Sequence, residues 1–334
     1  MQTRRELIGT LLTLPLTACS RPAQTHRRTW QTFGTLVSVA LDARSERHAQ
    51  AALTALNGLF GAINRDWYAW GDGELGTLNR TLQTARSAQV SPPLAALLAD
   101  AATLGARSGN RFSACTGNLS QTWGLHTLQQ QPSPPVPDAI AVTTAQQHID
   151  CQLHVDLAAE QIRVAKPGVV LDLGGIAKGA ALRDAIAALL LFDVSRALID
   201  VGGDLMAYGT DAAEPYTIGL RDPRADKPLA AITLQAGESV FSSGDYARFY
   251  EADGQRYQHI IDPRSGYPVE TRAATVIHND PVLADVAATA LVVGGADEFS
   301  SVCDALGVTN ALLIDRLGNM VNTKAMQQRL QPVT

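Results

Sequence analysis

From Cys151 to Ser242 the chain passes through closely spaced strand-like segments: Cys151–Val155, Ile162–Val164, Val169–Leu173, Ala197–Val201, Thr217–Leu220, Ala230–Gln235 and Val240–Ser242. One clear helical run, Ala177 to Leu191, interrupts them. Strands and helices mixed without regular alternation predict an α+β fold rather than a doubly wound sheet. The flanks agree. Gly34 to Asp42 alternates apolar positions as a strand does, and Ala51 to Ile63 spaces Leu53, Leu56, Leu59, Phe60 and Ile63 as a helix does. Pro93 to Gly105 reads as a second helix. The last part reads as strand Ala274–Ile277, helices Pro281–Val293 and Asp297–Leu306, and strand Ala311–Ile314. Residues 129–148 are rich in Gln, Pro, Thr and Ala without periodicity, so a surface excursion is expected there. No short-period repeat or domain boundary is visible, and a single domain over residues 30–334 follows.

The N-terminus reads as a targeting segment. Arg4-Arg5 supplies a charged region, Leu7 to Thr17 is apolar, and Leu16-Thr17-Ala18-Cys19 has the form of a lipobox. Residues 1–18 are expected to be a lipoprotein signal peptide, Cys19 the lipidated residue, and 19–29 a polar tether. Thr3 to Ile8 also resembles a twin-arginine export signal. No apolar run reaches the ~18 residues of a membrane-spanning helix. A net charge of −5 gives no basic footprint and excludes nucleic acid as a main partner. Of the remaining cysteines, Cys115, Cys151 and Cys303, an odd number cannot pair completely within one chain, and their spacings match no zinc motif. They read as buried thiols, with one disulfide left open.

Residues 242–270 concentrate polar and aromatic groups around His259. Asp253-Gly254 suits a two-residue type I′ hairpin turn. Tyr246, Tyr250, Tyr257 and Tyr267 are most of the chain's 7 tyrosines. In the late helix, Asp285 and Thr289 stand at i and i+4 on one face among small and apolar residues. An isolated carboxylate on such a face is costly to bury unless it is paired. A hard cation such as Mg2+ is one solution, since it accepts few protein oxygens plus substrate phosphates. A solvated Asp beside a helix-capping network is the other. Leu171 to Gly179, L-D-L-G-G-I-A-K-G, is a Gly-rich strand-to-helix turn with Lys178 near the helix N-terminus, where anions are favoured. It fits neither a Walker A loop nor G-x-G-x-x-G. Tight packing alone would also explain its glycines. Asp204, after Val201-Gly202-Gly203, reads as turn chemistry, and Trp67, Tyr68 and Trp70 as core or as a stacking surface.

The segments F-G-T-L-V-S-V, W-G-D-G-E-L-G-T-L-N, L-D-L-G-G-I-A-K-G, A-L-I-D-V-G-G-D-L, S-S-G-D-Y…H-I-I-D-P-R-S-G-Y-P and A-D-V-A-A-T-A-L occur in that order. Together they resemble the ApbE family, the FAD:protein FMN transferases, over nearly the whole chain after Trp30. The resemblance implies a single T-fold-related domain of mixed sheets with packed helices. It implies a lipid-anchored enzyme that uses Mg2+ to move the FMN half of FAD onto a Thr or Ser hydroxyl of a target protein, releasing AMP. By position, Asp285 and Thr289 correspond to metal ligands, and Gly175 to a backbone-carbonyl ligand. Asp172, Lys178 and His259 correspond to FAD-contacting residues, with Phe33 where a methionine is usual and Trp70 at an aromatic position. In R-F-S-A-C-T-G-N-L, Ser113 stands where the family has an aspartate at a nucleotide contact, and Ala114 and Asn118 replace prolines. His259 is the neutral-pH base prominent in this constellation, with a flavin hydrogen bond as its rival role. The segment's aromatics are then expected to hold its loop in place. The implied acceptors are exported domains of a sodium-pumping NADH:quinone reductase, an Rnf-type complex or a nitrous-oxide-reduction system. The implied location is the periplasmic face of the bacterial cell envelope. One alternative uses the same residues, Mg2+-dependent hydrolysis of FAD to FMN and AMP. The other is a non-catalytic FAD-binding lipoprotein, which Asp285 and Thr289 argue against because mere binding needs no metal at the pyrophosphate.

Overall fold

A computed structural model describes residues 25–126, 133–209 and 214–332. The expected signal peptide and Cys19 lie outside the described residues. In chain order the first elements are β1 (Thr25–Thr32), β2 (Thr35–Ala43), α1 (Glu46–Asp66), α2 (Glu74–Leu82), β3 (Ser87–Gln89), α3 (Pro92–Arg107), α4 (Gly117–Thr122) and α5 (Ala139–Gln146). Then come β4 (His154–Asp156), β5 (Gln161–Arg163), α6 (Ala177–Leu189), β6 (Val194–Val201), β7 (Asp204–Gly209), β8 (Tyr216–Arg221) and β9 (Pro228–Leu234). The last are β10 (Ser239–Gly244), β11 (Phe249–Ala252), β12 (Gln255–Gln258), β13 (Ala273–His278), α7 (Pro281–Leu306), β14 (Asn310–Ile314), β15 (Met320–Asn322) and α8 (Lys324–Arg329).

An 8-stranded sheet, in order β1-β2-β6-β7-β10-β13-β14-β15, forms the spine, and every neighbouring pair in it is antiparallel. The two-residue period of a strand sorts its side chains onto two faces. Phe241, Val276 and Leu313 point into the main core with α1, α6 and α7. Their neighbours Val240, Ile277 and Leu312 point the other way, into a smaller core closed by β8, β9 and Met326 of α8. The α+β architecture read from the sequence is the one observed.

Several local differences have physical causes. β1 begins at Thr25, ahead of the expected start near Trp30, because each residue from Thr25 onward finds a rung on β2. Residues 139–146, inside the expected excursion, form α5. Asp138 caps it by accepting from Ala141 N–H at 2.7 Å, and Val142 and Ala145 pack on Leu119 and Trp123. The late helices run together as α7, yet Gly295 breaks the helical path with φ 62°, which keeps the two expected halves distinct.

Val169–Leu173 is extended and buried but joins no sheet. Amide side chains replace the ladder. Asn79 accepts from Leu171 N–H at 2.8 Å and donates to Leu171 C=O at 2.9 Å. Asn118 accepts from Val170 N–H at 2.9 Å. Backbone bonds from Gly117 N–H to Val170 C=O and from Asp172 N–H to Ala114 C=O complete the set. Buried peptide groups must be paired, and here remote asparagines do it. This anchored segment delivers Asp172 and the Gly174-Gly175 turn to the site.

Candidate active site

One cleft gathers most of the residues singled out above. Ser113, Asp172, Gly175, Lys178, His259, Asp285 and Thr289 all line it. Its first wall is made where α6 meets α7. Those helices approach so closely that a Cβ on Gly179 would sit 2.4 Å from the Pro281 carbonyl oxygen, so glycine is required there. The contact lets Asp285, on the second turn of α7, reach the free N-terminus of α6. Its Oδ2 accepts from Gly179 N–H at 2.9 Å. No side chain of α6's own N-cap, Ile176, does this. Asp285 therefore caps a neighbouring helix from outside, where the helix dipole favours a negative charge.

Asp285 is almost fully buried, so the capping network is real but the carboxylate is not solvated. Burial pushes its carboxyl up to about 7. Lys178 and the α6 N–H groups oppose that shift, and Asp204 adds to it. Thr289 lies one turn further along α7, its Oγ1 3.2 Å from Ser243 Oγ. A Cβ on Gly175 would come 3.2 Å from that same Thr289 Oγ1, which places the Gly175 backbone beside it. The Gly175 carbonyl accepts no hydrogen bond among the described residues. A carboxylate, a hydroxyl and a carbonyl without a hydrogen bond among the described residues thus line one side of the cleft. Such an all-oxygen set suits a hard cation whose remaining ligands come from water and phosphate. Among the described residues no three His, Cys, Asp or Glu side chains cluster as a self-sufficient metal cage. The fit is therefore to a cation shared with a ligand.

Lys178 is not free to act as an isolated charge. Its ammonium pairs with Asp204, a buried carboxylate at the start of β7 whose other oxygen accepts from Ser242 N–H at 2.9 Å. Burial alone would lower the lysine, but Asp204 and Asp285 outweigh it and raise its pKa, so it stays charged. From its local sequence, after Gly202-Gly203, Asp204 reads as turn chemistry. Its partner lies 26 residues away, and no local pattern announces the pair.

The second wall is the β11–β12 hairpin and the loop after it. Asp253 and Gly254 both have positive φ, 51° and 76°, as the type I′ reading requires. The hairpin base brings Arg248 opposite His259: the Arg248 carbonyl accepts from His259 N–H at 3.0 Å. The same carbonyl lies 3.1 Å from His259 Nδ1. A carbonyl can only accept, so Nδ1 carries the proton and Nε2 is left with its lone pair. Burial, with the nearby Arg248 and Lys178 charges, holds the imidazole well below its ordinary pKa. It is a neutral ring with a fixed tautomer.

Behind this wall the aromatics stack. Tyr250 packs on Tyr257 at 5.2 Å, Tyr257 on Trp123 at 5.5 Å, and Tyr267 meets Trp123 edge-on at 5.5 Å. Trp123 Nε1 donates to Gly266 C=O at 2.8 Å, tying α4 to the loop. They hold the loop, as expected from the sequence. Glu298 of α7 takes paired hydrogen bonds from Arg111 at 2.7 and 2.9 Å and is also bonded by Arg264. Those two arginines hold its carboxyl at about 2. The floor between the walls is the loop carrying Ser113, whose Oγ accepts from Cys115 N–H at 3.1 Å. Cys115 is disulfide-bonded to Cys151, and Cys303 is a buried free thiol.

Phe33 and Trp70 are not on the cleft lining. Phe33 sits at the β1–β2 turn with φ 54°, its N–H bonded to Asn64 and its ring edge-on to Phe60 at 6.0 Å. Trp70 packs against His126 at 5.1 Å, one residue from Leu125 of the cleft. Trp67 fills the core. Arg248, by contrast, lines the cleft, and nothing in its aromatic-rich run sets it apart in sequence.

The fold and the site define an α+β protein whose cleft sets the oxygens of Asp285 and Thr289 against a tautomer-fixed histidine. The chain belongs to the ApbE family, whose model matches residues 33–313. It is 32% identical over 326 residues to a Rhodobacter capsulatus protein named FAD:protein FMN transferase, a match covering 97% of this chain and 62% of that one. The chain thus spans less than two thirds of that relative's length. A Haemophilus influenzae protein of the same name is 26% identical, with 96% of this chain and 94% of that one covered. The crystal structure of the ApbE protein of Thermotoga maritima superposes with a TM-score of 0.84 at 25% identity. That match covers 92% of this chain and 100% of that one.

Proposed function

We propose that this chain is an FAD:protein FMN transferase: it moves the FMN moiety of FAD onto a Thr or Ser hydroxyl of an acceptor protein and releases AMP. The observation that carries this reading is the meeting, in one cleft, of the Asp285–Thr289–Gly175 oxygens with a neutral, tautomer-fixed His259. Family membership and the names of the relatives support it.

The oxygens of Asp285, Thr289 and Gly175 would hold Mg2+, which when bound polarises the phosphorus under attack and stabilises the leaving phosphate. The chain's own residues do the rest. The neutral Nε2 of His259 takes the proton of the acceptor hydroxyl as its oxygen bonds to the FMN phosphorus. The bond to the bridging oxygen breaks, and AMP departs with that oxygen. The charged Lys178 orients Asp204 and keeps the site near neutrality around Asp285. Ser113 and Asp172 would contact the nucleotide from the floor. Asp172 Oδ1 is already engaged by Gly174 N–H at 2.9 Å, so its second oxygen is the available one. Phe33 and Trp70 would have to reach the flavin or adenine beyond the cleft lining.

We place the enzyme on the periplasmic face of the cell envelope, tethered through Cys19, from the lipobox alone. Its acceptor would be an exported domain of a respiratory or nitrous-oxide-reduction complex. Incubating the soluble protein with FAD, Mg2+ and a candidate acceptor domain tests the reading. Flavin fluorescence that stays with the denatured acceptor, together with AMP, is the expected outcome. Free FMN with AMP and no labelled acceptor would instead identify a hydrolase.

A further inference from the structure

The basic side chains lining the cleft are Arg111, Lys178 and Arg248. Arg111 is consumed by Glu298 and by the Ser108 carbonyl at 2.8 Å. Lys178 is consumed by Asp204. Histidine adds no charge, because His259 is held neutral. Arg248 differs. Its guanidinium makes no ion pair and donates no hydrogen bond among the described residues, although it is half-buried. It lies over the Gly174-Gly175 turn: a Cβ on Gly174 would sit 3.8 Å from Arg248 Nη2. That turn also carries the Gly175 carbonyl of the cation corner. A half-buried guanidinium left without an anion, beside an oxygen cluster suited to a phosphate-sharing cation, is a vacant half of a charge-assisted pair.

We propose that Arg248 binds the pyrophosphate of FAD directly, and so distinguishes FAD from phosphate-free flavins. The proposal rests on the reading of FAD as substrate. The geometry gives Arg248 a divided role. Its carbonyl fixes the His259 tautomer, while its side chain grips the phosphates, so binding the substrate and presenting the base are built on one residue. As the acceptor oxygen bonds to phosphorus and the bridge to AMP breaks, negative charge grows on the phosphoryl and AMP oxygens, and Arg248 is placed to meet it. Side-chain substitution leaves the carbonyl in place, which lets the two roles be separated.

The test titrates FAD and riboflavin, by flavin fluorescence, into wild-type protein, Arg248→Met and Arg248→Lys. Wild type should bind FAD more tightly than riboflavin. Arg248→Met should weaken FAD by about 10- to 100-fold, the loss of a charge-assisted contact, and leave riboflavin within about twofold. Arg248→Lys, which keeps charge but loses the planar fork, should fall between the two and covers the case in which the Met variant does not fold. Equal weakening of both flavins, unchanged FAD affinity, or a wild type that prefers neither flavin would each overturn the assignment. The transferase reading fails separately: a wild type that labels no acceptor, yet loses its FAD preference in Arg248→Met, keeps the arginine and discards the activity.

Discussion

The two walls of the cleft are built on different principles. The α6–α7 wall is rigid because backbone meets backbone there: Gly179 against Pro281, and a buried Asp285 capping a helix that is not its own. The hairpin wall depends on side chains, a stack of Trp123, Tyr250 and Tyr257 behind a strand pair only four residues long on each side. The first wall sets its oxygens by close backbone packing; the second sets His259 through stacked side chains. The division teaches that the oxygens around Asp285 and the loop carrying His259 respond to different kinds of damage.

The largest break in that comparison should come from Asp285→Asn. Asparagine keeps an acceptor for Gly179 N–H, so the cap survives while the charge for the cation is gone. Transfer should fall by about 10²–10³-fold with little change in the unfolding midpoint, measured by covalent flavin yield and thermal denaturation. Next comes the floor. Removing the disulfide by Cys115→Ser with Cys151→Ser opens a link across 36 residues and should cost about 2–4 kcal/mol of stability in denaturant titration. Its effect on transfer should exceed that of an equally destabilising change remote from the Ser113 loop.

Acidity sharpens the contrast further. Asp285, pushed up to about 7 by burial, must lose its proton to hold a cation, so the Mg2+ concentration needed for half-maximal transfer should rise as pH falls below that value. The rise should be about tenfold per pH unit, seen in Mg2+ titrations at pH 6 and pH 8. His259, held well below its ordinary pKa, stays neutral over this range and contributes no limb of its own. The smallest effect belongs to the hairpin's backing: Tyr257→Leu should cost about 1 kcal/mol of stability through the lost stacking, and transfer should fall more than FAD affinity does.

How far the sequence revealed these walls follows from how local each determinant is. Asp253-Gly254 sets the hairpin by its own φ preferences, and Asp285 stood out as a lone carboxylate in an apolar helix, so both were legible. Val169–Leu173 looked like a strand because its composition is that of one. Its partners are Asn79 and Asn118, 92 and 52 residues distant, and no periodicity encodes them. The Lys178–Asp204 pair is hidden for the same reason, and with it the fact that Arg248 is the cation of the cleft lining that has no ion pair among the described residues. Phe33 rests on family resemblance alone and Trp70 on resemblance together with its aromatic cluster, and neither lies on the cleft lining. α5 is not legible because it carries no clear amphipathic pattern, with Ile140 exposed and only Val142 and Ala145 buried, and lies in a Gln- and Pro-rich neighbourhood.

The claim that the first wall supplies the oxygens for a cation and the second the proton acceptor is met most directly by His259→Gln, assayed for FAD affinity and for single-turnover transfer in the same preparation. The account predicts FAD binding within about twofold of wild type and transfer reduced by about 10²–10⁴-fold, the contribution of a positioned base. Transfer at the wild-type rate with normal FAD binding would contradict it and leave the histidine as no more than a prop for the loop.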